Sequence, residues 1–362
     1  MRILYVGDLR RGSTSSHRCA SLERLGCEVV RFDVAPYYDA GLWPSRWIRY
    51  RTLMGRSVTK FNRDFCEFAR DRAVSLVWMD KVLFAWPETI RFVMNCGLKV
   101  VAYNVDNPFG PRGDPGWRHV VRAIPEYHAH IVSQPTRVQP YRQAGARHVV
   151  IMPLAYEPSV HFAPPDDWSD VHRAHDVLFI GHPHDARREF VLTLWNKHGI
   201  AVYVRGPKWN RILHGEARKV LYGGGPLEND DYREAIWRSR ICLGFVTHSN
   251  VDLTARRTFE ITACRGFLLT KRTEAQQACF SDGEEVVMYD NVDECAALIR
   301  RYLPDEDARR RIAEAGYQRA VMSGYDNDAV LTDVLNKLNE LEGLNELVPQ
   351  LTQIPAAASE RR

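Results

Sequence analysis

No apolar run of about eighteen residues occurs anywhere in the chain, so no segment reads as a membrane-spanning helix. The apolar stretch at the N-terminus, in MRILYVGDLRRG, is only five residues long, too short for a signal-peptide core, and a cytoplasmic location is expected. Cysteine is sparse and scattered: eight residues, at 19, 27, 66, 96, 242, 264, 279 and 295, with no C-x-x-C pair and no metal-ligand spacing. That excludes a disulfide framework or a zinc ribbon and predicts reduced, buried thiols. Neither sign of charge dominates, the net being +4, so composition gives no call for a nucleic-acid partner. What is present is ordinary globular composition, 45% hydrophobic and 26% charged, over 362 residues. That length exceeds one ordinary core and predicts two domains.

The chain alternates strands and helices. RILYVG reads as a strand, the polar loop DLRRGSTSS leads into the helix HRCASLERLG, and CEVVRFDV is a second strand, together the opening of a βαβ unit. VSLVWMD, LKVVAYNVD, HAHIVSQ and RHVVIMPLA continue as strands, with WPETIRFVMNCG a helix between the first two. The polar, proline-containing stretch 161–175 interrupts the pattern and reads as a linker. Alternation then restarts: DVLFIG, IAVYVRG, ICLGFV, FLLT and EEVVMY as strands, with helices between and after them. The expected architecture is α/β, two doubly wound Rossmann-like domains facing each other across a cleft. The first spans 1–160 and the second 176–335, and 336–362 forms a C-terminal helix and a frayed tail.

Open α/β sheets bind ligands beyond the carboxyl ends of their strands, which singles out several groups of residues. Glu260 lies near the start of the helix RTFEITACRG, just before Gly266 and a short strand. A carboxylate there can take the vicinal hydroxyls of a ribose while the helix N-terminus favours a neighbouring diphosphate, or it can support the helix's first turn. Arg256 and Arg257 precede it as either phosphate ligands or a solvated pair. FIGHPHDARR brings Gly181 to the end of a strand and Arg187 with Arg188 to the start of a helix, where a base reaches a leaving diphosphate oxygen. Arg205, in VRGPKW, and Leu227, in YGGGPLEND, sit in glycine-bearing turns that can hold a nucleobase by main-chain hydrogen bonds, with Trp209 or Leu227 over its face.

In the first half Gly7, Asp8, Gly12, Ser13 and His17 gather at the end of strand one. Asp8 and His17 are candidates for a base that deprotonates an acceptor hydroxyl. Asn104 and Asp106, in YNVDNP, end another strand, and Asp80 and Lys81 either line the cleft or form a local ion pair. Asn104 and Asp106 do not make a D-x-D motif. Residues 43–63, WPSRWIRYRTLMGRSVTKFNR, interleave Trp43, Trp47 and Tyr50 with Arg46, Arg49, Arg51, Arg56 and Lys60. Such a stretch is either a helix covering a sheet with wet arginines or a contact for an anionic membrane, a lipid-linked acceptor or nucleic acid.

The segment RTFEITACRGFLLT (257–270), followed by Phe280 and DGEEVVMYDNVDECAALIRRYL, resembles the CgeB-type (spore maturation protein) glycosyltransferase-like family, whose fold is GT-B. VWMDKVLFAWPETI and VVAYNVDNP resemble that family's acceptor-side domain, and the likeness extends over about residues 1–335. The family commonly has Gly where this chain has Arg265 and Pro where it has Thr262. The resemblance implies a ribose role for Glu260. It also echoes, as Asp252-x7-Glu260, the E-x7-E signature of retaining GT-B enzymes, with the first acid shortened. Arg187 then falls near the lysine of the basic pair that serves the phosphates in those enzymes.

The expected function is transfer of a sugar from a nucleotide-diphosphate sugar to an acceptor hydroxyl in the cleft. The donor is a substrate rather than a cofactor, no metal is expected, and retention is favoured over inversion. Should the reaction invert, Asp8, His17 or Asp106 is the base. The acceptor is a glycan, a lipid-linked carrier or a small molecule. Nucleic acid is not an expected partner, and 43–63 is the candidate for peripheral membrane contact. The alternatives are a nucleotide-sugar epimerase and a non-catalytic nucleotide-sugar-binding protein.

Overall fold

A computed structural model describes residues 1–70, 72–111, 115–342 and 344. The chain forms two compact units, each built on a six-stranded, all-parallel sheet. The first unit carries β1 (Arg2–Gly7), β2 (Glu28–Asp33), β3 (Leu76–Asp80), β4 (Val100–Asn104), β5 (Ala129–Val132) and β6 (Val149–Ile151), in the order β2-β1-β3-β4-β5-β6. The second carries β7 (His175–Ile180), β8 (Tyr203–Arg205), β9 (Tyr222–Gly224), β10 (Ser239–Gly244), β11 (Leu268–Lys271) and β12 (Val287–Tyr289), in the order β12-β11-β10-β7-β8-β9. In both sheets the chain winds outward from a central strand and then returns to that strand's other side. The reversal falls between β1 and β3 in the first unit and between β7 and β10 in the second. Ligands of such sheets sit beyond the strand ends at this reversal.

Strands buried on both faces read as continuous apolar runs, and the second sheet shows why. Val177, Phe179, Ile241, Leu243 and Leu269 enter the core on one face, while Leu178, Ile180, Cys242, Leu268 and Met288 enter the core on the other. In the first unit Leu4, Val6, Val77 and Met79 meet an aromatic group of Phe32, Phe61 and Phe65 supplied by β2 and the helix Arg56–Arg70. The cysteines are free, four of them fully enclosed in apolar packing at 19, 242, 264 and 295.

β9 was not expected from its glycine-rich sequence. Its glycines are dictated by neighbours: a Cβ on Gly223 would stand 2.2 Å from the Tyr203 ring, and one on Gly224 3.0 Å from the Arg205 guanidinium carbon. The stretch 161–175, read as a linker, lies within the second unit, which runs from Leu154 to Val330. Trp168 Nε1 donates to Trp237 O at 2.9 Å, and Asp170 pairs with Arg240 and with the buried Arg309, so this segment is clamped to the second sheet's helices. From Leu331 the chain is counted with the first unit. Residues 345–362 of the tail, expected to fray, lie outside the described residues.

The helix Arg256–Ala263 ends in a paired turn in which Gly266 N donates to Ile261 O and Arg265 N to Thr262 O, both at 2.9 Å. The residue in the left-handed conformation is Arg265, with φ 53°, not Gly266. This is the position where the resemblance puts glycine. Arg265 Nε lies 2.9 Å from a carboxylate oxygen of Glu314.

Candidate functional site

The end of β7 and the end of β10 meet at the reversal of the second sheet, and their loops are tied together. Asp185 Oδ2 accepts from His248 N at 3.0 Å, and Arg187 Nη2 donates to Thr247 Oγ1 at 2.9 Å and to Val246 O at 3.3 Å. Gly181, the first residue after β7, gives its N–H to Arg205 O at 2.8 Å and accepts from Trp209 Nε1 at 2.7 Å. A side chain there would meet the Phe179 ring at 2.8 Å and the Arg257 guanidinium at 3.4 Å. Gly181 therefore lets the strand end pass directly beneath Arg257.

Positive charge is concentrated around this crossing. Arg187, the first residue of the helix Arg187–His198, is only 6% exposed, so it is not the solvent-facing arginine of a simple helix start. Burial and the neighbouring Arg257 push its guanidinium down to about 10. Burial, with His184, Lys208, Arg257 and Arg187 around it, pushes the His182 imidazole down to about 4, so it is neutral at physiological pH. Three buried nitrogens here have no hydrogen-bond partner: Arg187 Nε, Arg257 Nε and His182 Nδ1. Buried polar atoms are mostly paired in folded proteins, so this close-set group offers places for a ligand's polar atoms, His182 Nδ1 acting as donor or acceptor according to its tautomer. No carboxylate forms an ion pair with Arg187 or Arg257 among the described residues. A cavity of about 350 Å³ opens beside Arg187, walled by Phe190, Phe245 and Tyr289 with Lys271 and His248 among its lining residues.

Glu260 lies in the second turn of the helix Arg256–Ala263, whose N-terminus has no side-chain cap. It is 9% exposed, and Tyr232 OH donates to its Oε2 at 2.7 Å. Burial alone would raise its carboxyl, but His161, Arg256, Arg257 and the Tyr232 hydrogen bond hold it below the ordinary carboxylate value. It is therefore a buried anion beside the cationic group, and Oε1 accepts nothing from the described residues. Asp252 accepts from Asn250 Nδ2 at 2.8 Å, its N–H donates to Thr247 O at 3.0 Å, and its charge supports that of Arg187. Gly181, Arg187, Arg257 and His182 thus belong to one cluster, with Glu260 and Asp252 on its borders.

Other expected donor contacts serve the fold. Trp209 is fully buried, and its indole holds Gly181 rather than covering a base. Arg205 donates to Gly223 O at 2.7 Å and Gly225 O at 3.2 Å, while Gly224 O accepts from Gly206 N at 3.2 Å, so these carbonyls of the glycine run are engaged. Leu227 packs against Tyr232 and its neighbours. Tyr232, His161, His182 and Asp185 were not foreseen. The pair of histidines beside Gly181 in GHPHD was the available signal for His182. Nothing local tells that Tyr232 reaches 28 residues along the chain.

In the first unit the expected residues satisfy one another. A Cβ on Gly7 would stand 2.2 Å from Ser15 Oγ, so glycine lets the helix Thr14–Arg24 start against the strand end. Gly12 has φ 78°, and Ser13 caps the helix by accepting from Ser16 N at 3.0 Å. His17 sits half-buried in the first turns of that helix. Asp8 is gripped by Arg10; burial would raise its carboxyl, but the Arg10 hydrogen bonds bring it below the ordinary value. Asp80 forms a buried two-pronged pair with Arg18, at 2.7 and 3.0 Å, and accepts from Tyr5 OH. Lys81, at φ 51°, pairs with Asp106 at 2.5 Å. Asn104 is buried, accepting from Asp106 N at 3.2 Å. Among the described residues no group of three or more His, Cys, Asp or Glu side chains is placed to hold a metal ion.

The two parallel sheets with flanking helices define the GT-B fold of glycosyltransferases. Residues 187–336, within the second unit and the start of the C-terminal segment, match the family model described as Glycosyl transferase-like. No curated protein matches the sequence. Sucrose-phosphate synthase from Thermosynechococcus elongatus superposes with a TM-score of 0.64 at 10% identity, covering 93% of this chain and 99% of that one. Anabaena Alr3699/HepE in complex with UDP-glucose gives 0.64 at 12% identity, covering 94% and 100%. A glycosyltransferase from Rickettsia africae gives 0.61 at 12% identity, covering 94% and 98%. At these identities the likeness establishes the fold.

Proposed function

We propose that the protein transfers a sugar from a nucleoside-diphosphate sugar to an acceptor hydroxyl. The observation that carries this reading is the group of three buried, unpartnered nitrogens on Arg187, Arg257 and His182 around Gly181. A diphosphate supplies the missing acceptors and the missing negative charge. When the glycosidic bond breaks, the charge that develops on the departing diphosphate falls where these donors and the uncapped N-terminus of the helix Arg256–Ala263 are already oriented. Glu260 takes the ribose hydroxyls on Oε1, with Oε2 held in position by Tyr232. Uridine is the first base to test, since the HepE structure holds UDP-glucose. Within the glycosyltransferase-like class, residues 257–302 favour the CgeB-type branch.

Retention of configuration is the favoured stereochemistry. The first-unit carboxylates are poor candidates for a base: Arg10 occupies both oxygens of Asp8 and lowers its basicity, and Asp106 is paired with Lys81. In the retaining course an oxygen of the departing diphosphate accepts the acceptor's proton, and no protein base is required. The reaction proceeds without a metal, because Arg187 and Arg257 do the charge neutralisation.

The test is a thermal-shift panel of nucleoside diphosphates, their sugars and the free nucleosides. A ligand that binds only the native state raises its melting temperature by an amount set by concentration over Kd. UDP is expected to raise it and uridine to leave it unmoved. Chelator in the same assay is expected to leave the UDP shift intact, and loss of the shift would overturn the metal-free claim.

A further inference from the structure

The helix Trp43–Thr52 buries one arginine and leaves both its tryptophans exposed. The sequence reading of a helix covering the sheet with wet arginines requires Arg49 outside and the tryptophans inside. The structure has Arg49 buried, donating to Ser57 Oγ at 2.9 Å and to the carbonyls of Tyr38 and Ala40 at 3.0 and 2.6 Å. Leu42, Trp43, Trp47, Ile48 and Met54 are outside, 81%, 70%, 51%, 54% and 71% exposed. Five large apolar side chains exposed within thirteen residues are costly for an isolated chain: scattered exposed apolar residues are common, but such a concentration marks a contact surface.

The charge around this group fixes the chemistry of what covers it. Between Asp39 and Asp64 there is no acidic residue, while Arg46, Arg49, Arg51, Arg56, Lys60 and Arg63 are all present. Lys60 and Arg63 pair with Asp64, and Arg46 lies 3.6 Å from Asp39. Arg51 stands over the Trp47 ring at 5.0 Å, and neither it nor Arg56 has an acidic partner among the described residues. Tryptophan beside arginine on a short exposed helix is the pattern of groups that settle at a lipid interface, rings at headgroup depth and cations against anionic phosphate. No helix among the described residues is long and apolar enough to cross a membrane, so the contact lies on the surface.

We propose that Leu42, Trp43, Trp47, Ile48 and Met54, rimmed by Arg51 and Arg56, dock the protein onto an anionic phospholipid surface. The patch lies in the first unit and draws nothing from the nucleotide site.

The experiment is co-sedimentation of the full chain with vesicles of phosphatidylcholine alone or with about 30% phosphatidylserine. Binding is expected to the anionic vesicles and to be weak to the neutral ones. Trp43→Ser with Trp47→Ser is expected to lower the partition coefficient about tenfold or more through loss of buried ring area. Arg51→Glu with Arg56→Glu is expected to abolish the preference for anionic lipid. UDP-induced thermal shift in both double variants should match wild type, which separates lost docking from lost folding. Equal sedimentation with and without vesicles would overturn the proposal. So would vesicle binding indifferent to the tryptophan pair, binding to nucleic acid in place of vesicles, or a dimer in light scattering that the tryptophan pair dissolves, which would give the patch to a second copy.

Discussion

The ends of β1 and β7 occupy equivalent places in their sheets and have the same local grammar of strand, glycine, polar loop and helix, yet they treat charge in opposite ways. Beyond β1 the charged groups close on one another: Asp8 on Arg10, Asp80 on Arg18 and Tyr5, Asp106 on Lys81, with Ser13 capping the helix. Beyond β7, Arg187, Arg257 and His182 each keep a buried nitrogen unpaired, and neither adjoining helix has a side-chain cap. Buried ionic groups are tolerable when paired and costly when not. The first arrangement stabilises the fold as it stands, whereas the second leaves a close-set group of cationic side chains open to a ligand, although single unpartnered nitrogens occur in the first unit too. The difference is the physical ground, beside the resemblance, for proposing the diphosphate site in the second unit.

Breaking one side and then the other sharpens this contrast. The largest effect is expected at Asp80→Ala, which leaves Arg18 buried and uncompensated and lowers the unfolding free energy by about 3–5 kcal/mol. Urea denaturation measures it, and a loss under about 1 kcal/mol would mean the pair contributes little. Next, Glu260→Gln removes a charged acceptor and should weaken UDP binding by about 1.5–3 kcal/mol in calorimetric titration. Arg257→Met is expected to act with opposite signs on two readouts. It removes a repelling neighbour of Arg187, leaving stability within about 1 kcal/mol of wild type or above it, while UDP affinity falls about tenfold or more. A comparable loss of stability would place Arg257 with the self-satisfied groups of the first unit.

The smallest effect on binding is a pH dependence. In the free protein His182 is neutral down to about pH 4. A diphosphate beside it favours the imidazolium and raises its pKa, so binding takes up a proton and UDP affinity should strengthen as pH falls from 7 toward 5. Titrations in buffers of different ionisation enthalpy measure that uptake, and His182→Gln should abolish it. Stability of the free protein should change in the other sense. His130, buried in the first unit, is pushed down to about 4 by burial, and it is neutral when folded but protonated when unfolded between about pH 6.5 and 4. Acidification through that window should therefore remove up to about 3 kcal/mol of stability.

Much of the architecture was legible because parallel strands are apolar on both faces: DVLFIG and ICLGFV need no tertiary information to be read as β7 and β10. β9 was not legible because Gly223 and Gly224 make room for Tyr203 and Arg205, neighbours that sequence does not reveal. The charged residue types of the candidate site could be picked out in the sequence, the acid at 260 and the arginines at 187 and 257 among them. Which of them are left unpaired was not. Asp8 and Arg187 look equally exposed in sequence, yet one is captured two residues away while the other is buried beneath the β10 loop. Trp209, offered as a cover for a base, is buried, and the two readings of 43–63 could not be separated, for the same reason: whether a tryptophan faces inward depends on what packs around it.

Calorimetric titration of UDP into the wild-type protein and into Arg187→Met with Arg257→Met tests the central claim most directly. Single-site binding to the wild type, displaced by pyrophosphate and lost in the double variant while the variant remains folded, is the predicted result. Equal affinity in both proteins, or no binding of any nucleoside diphosphate to the wild type, would contradict it.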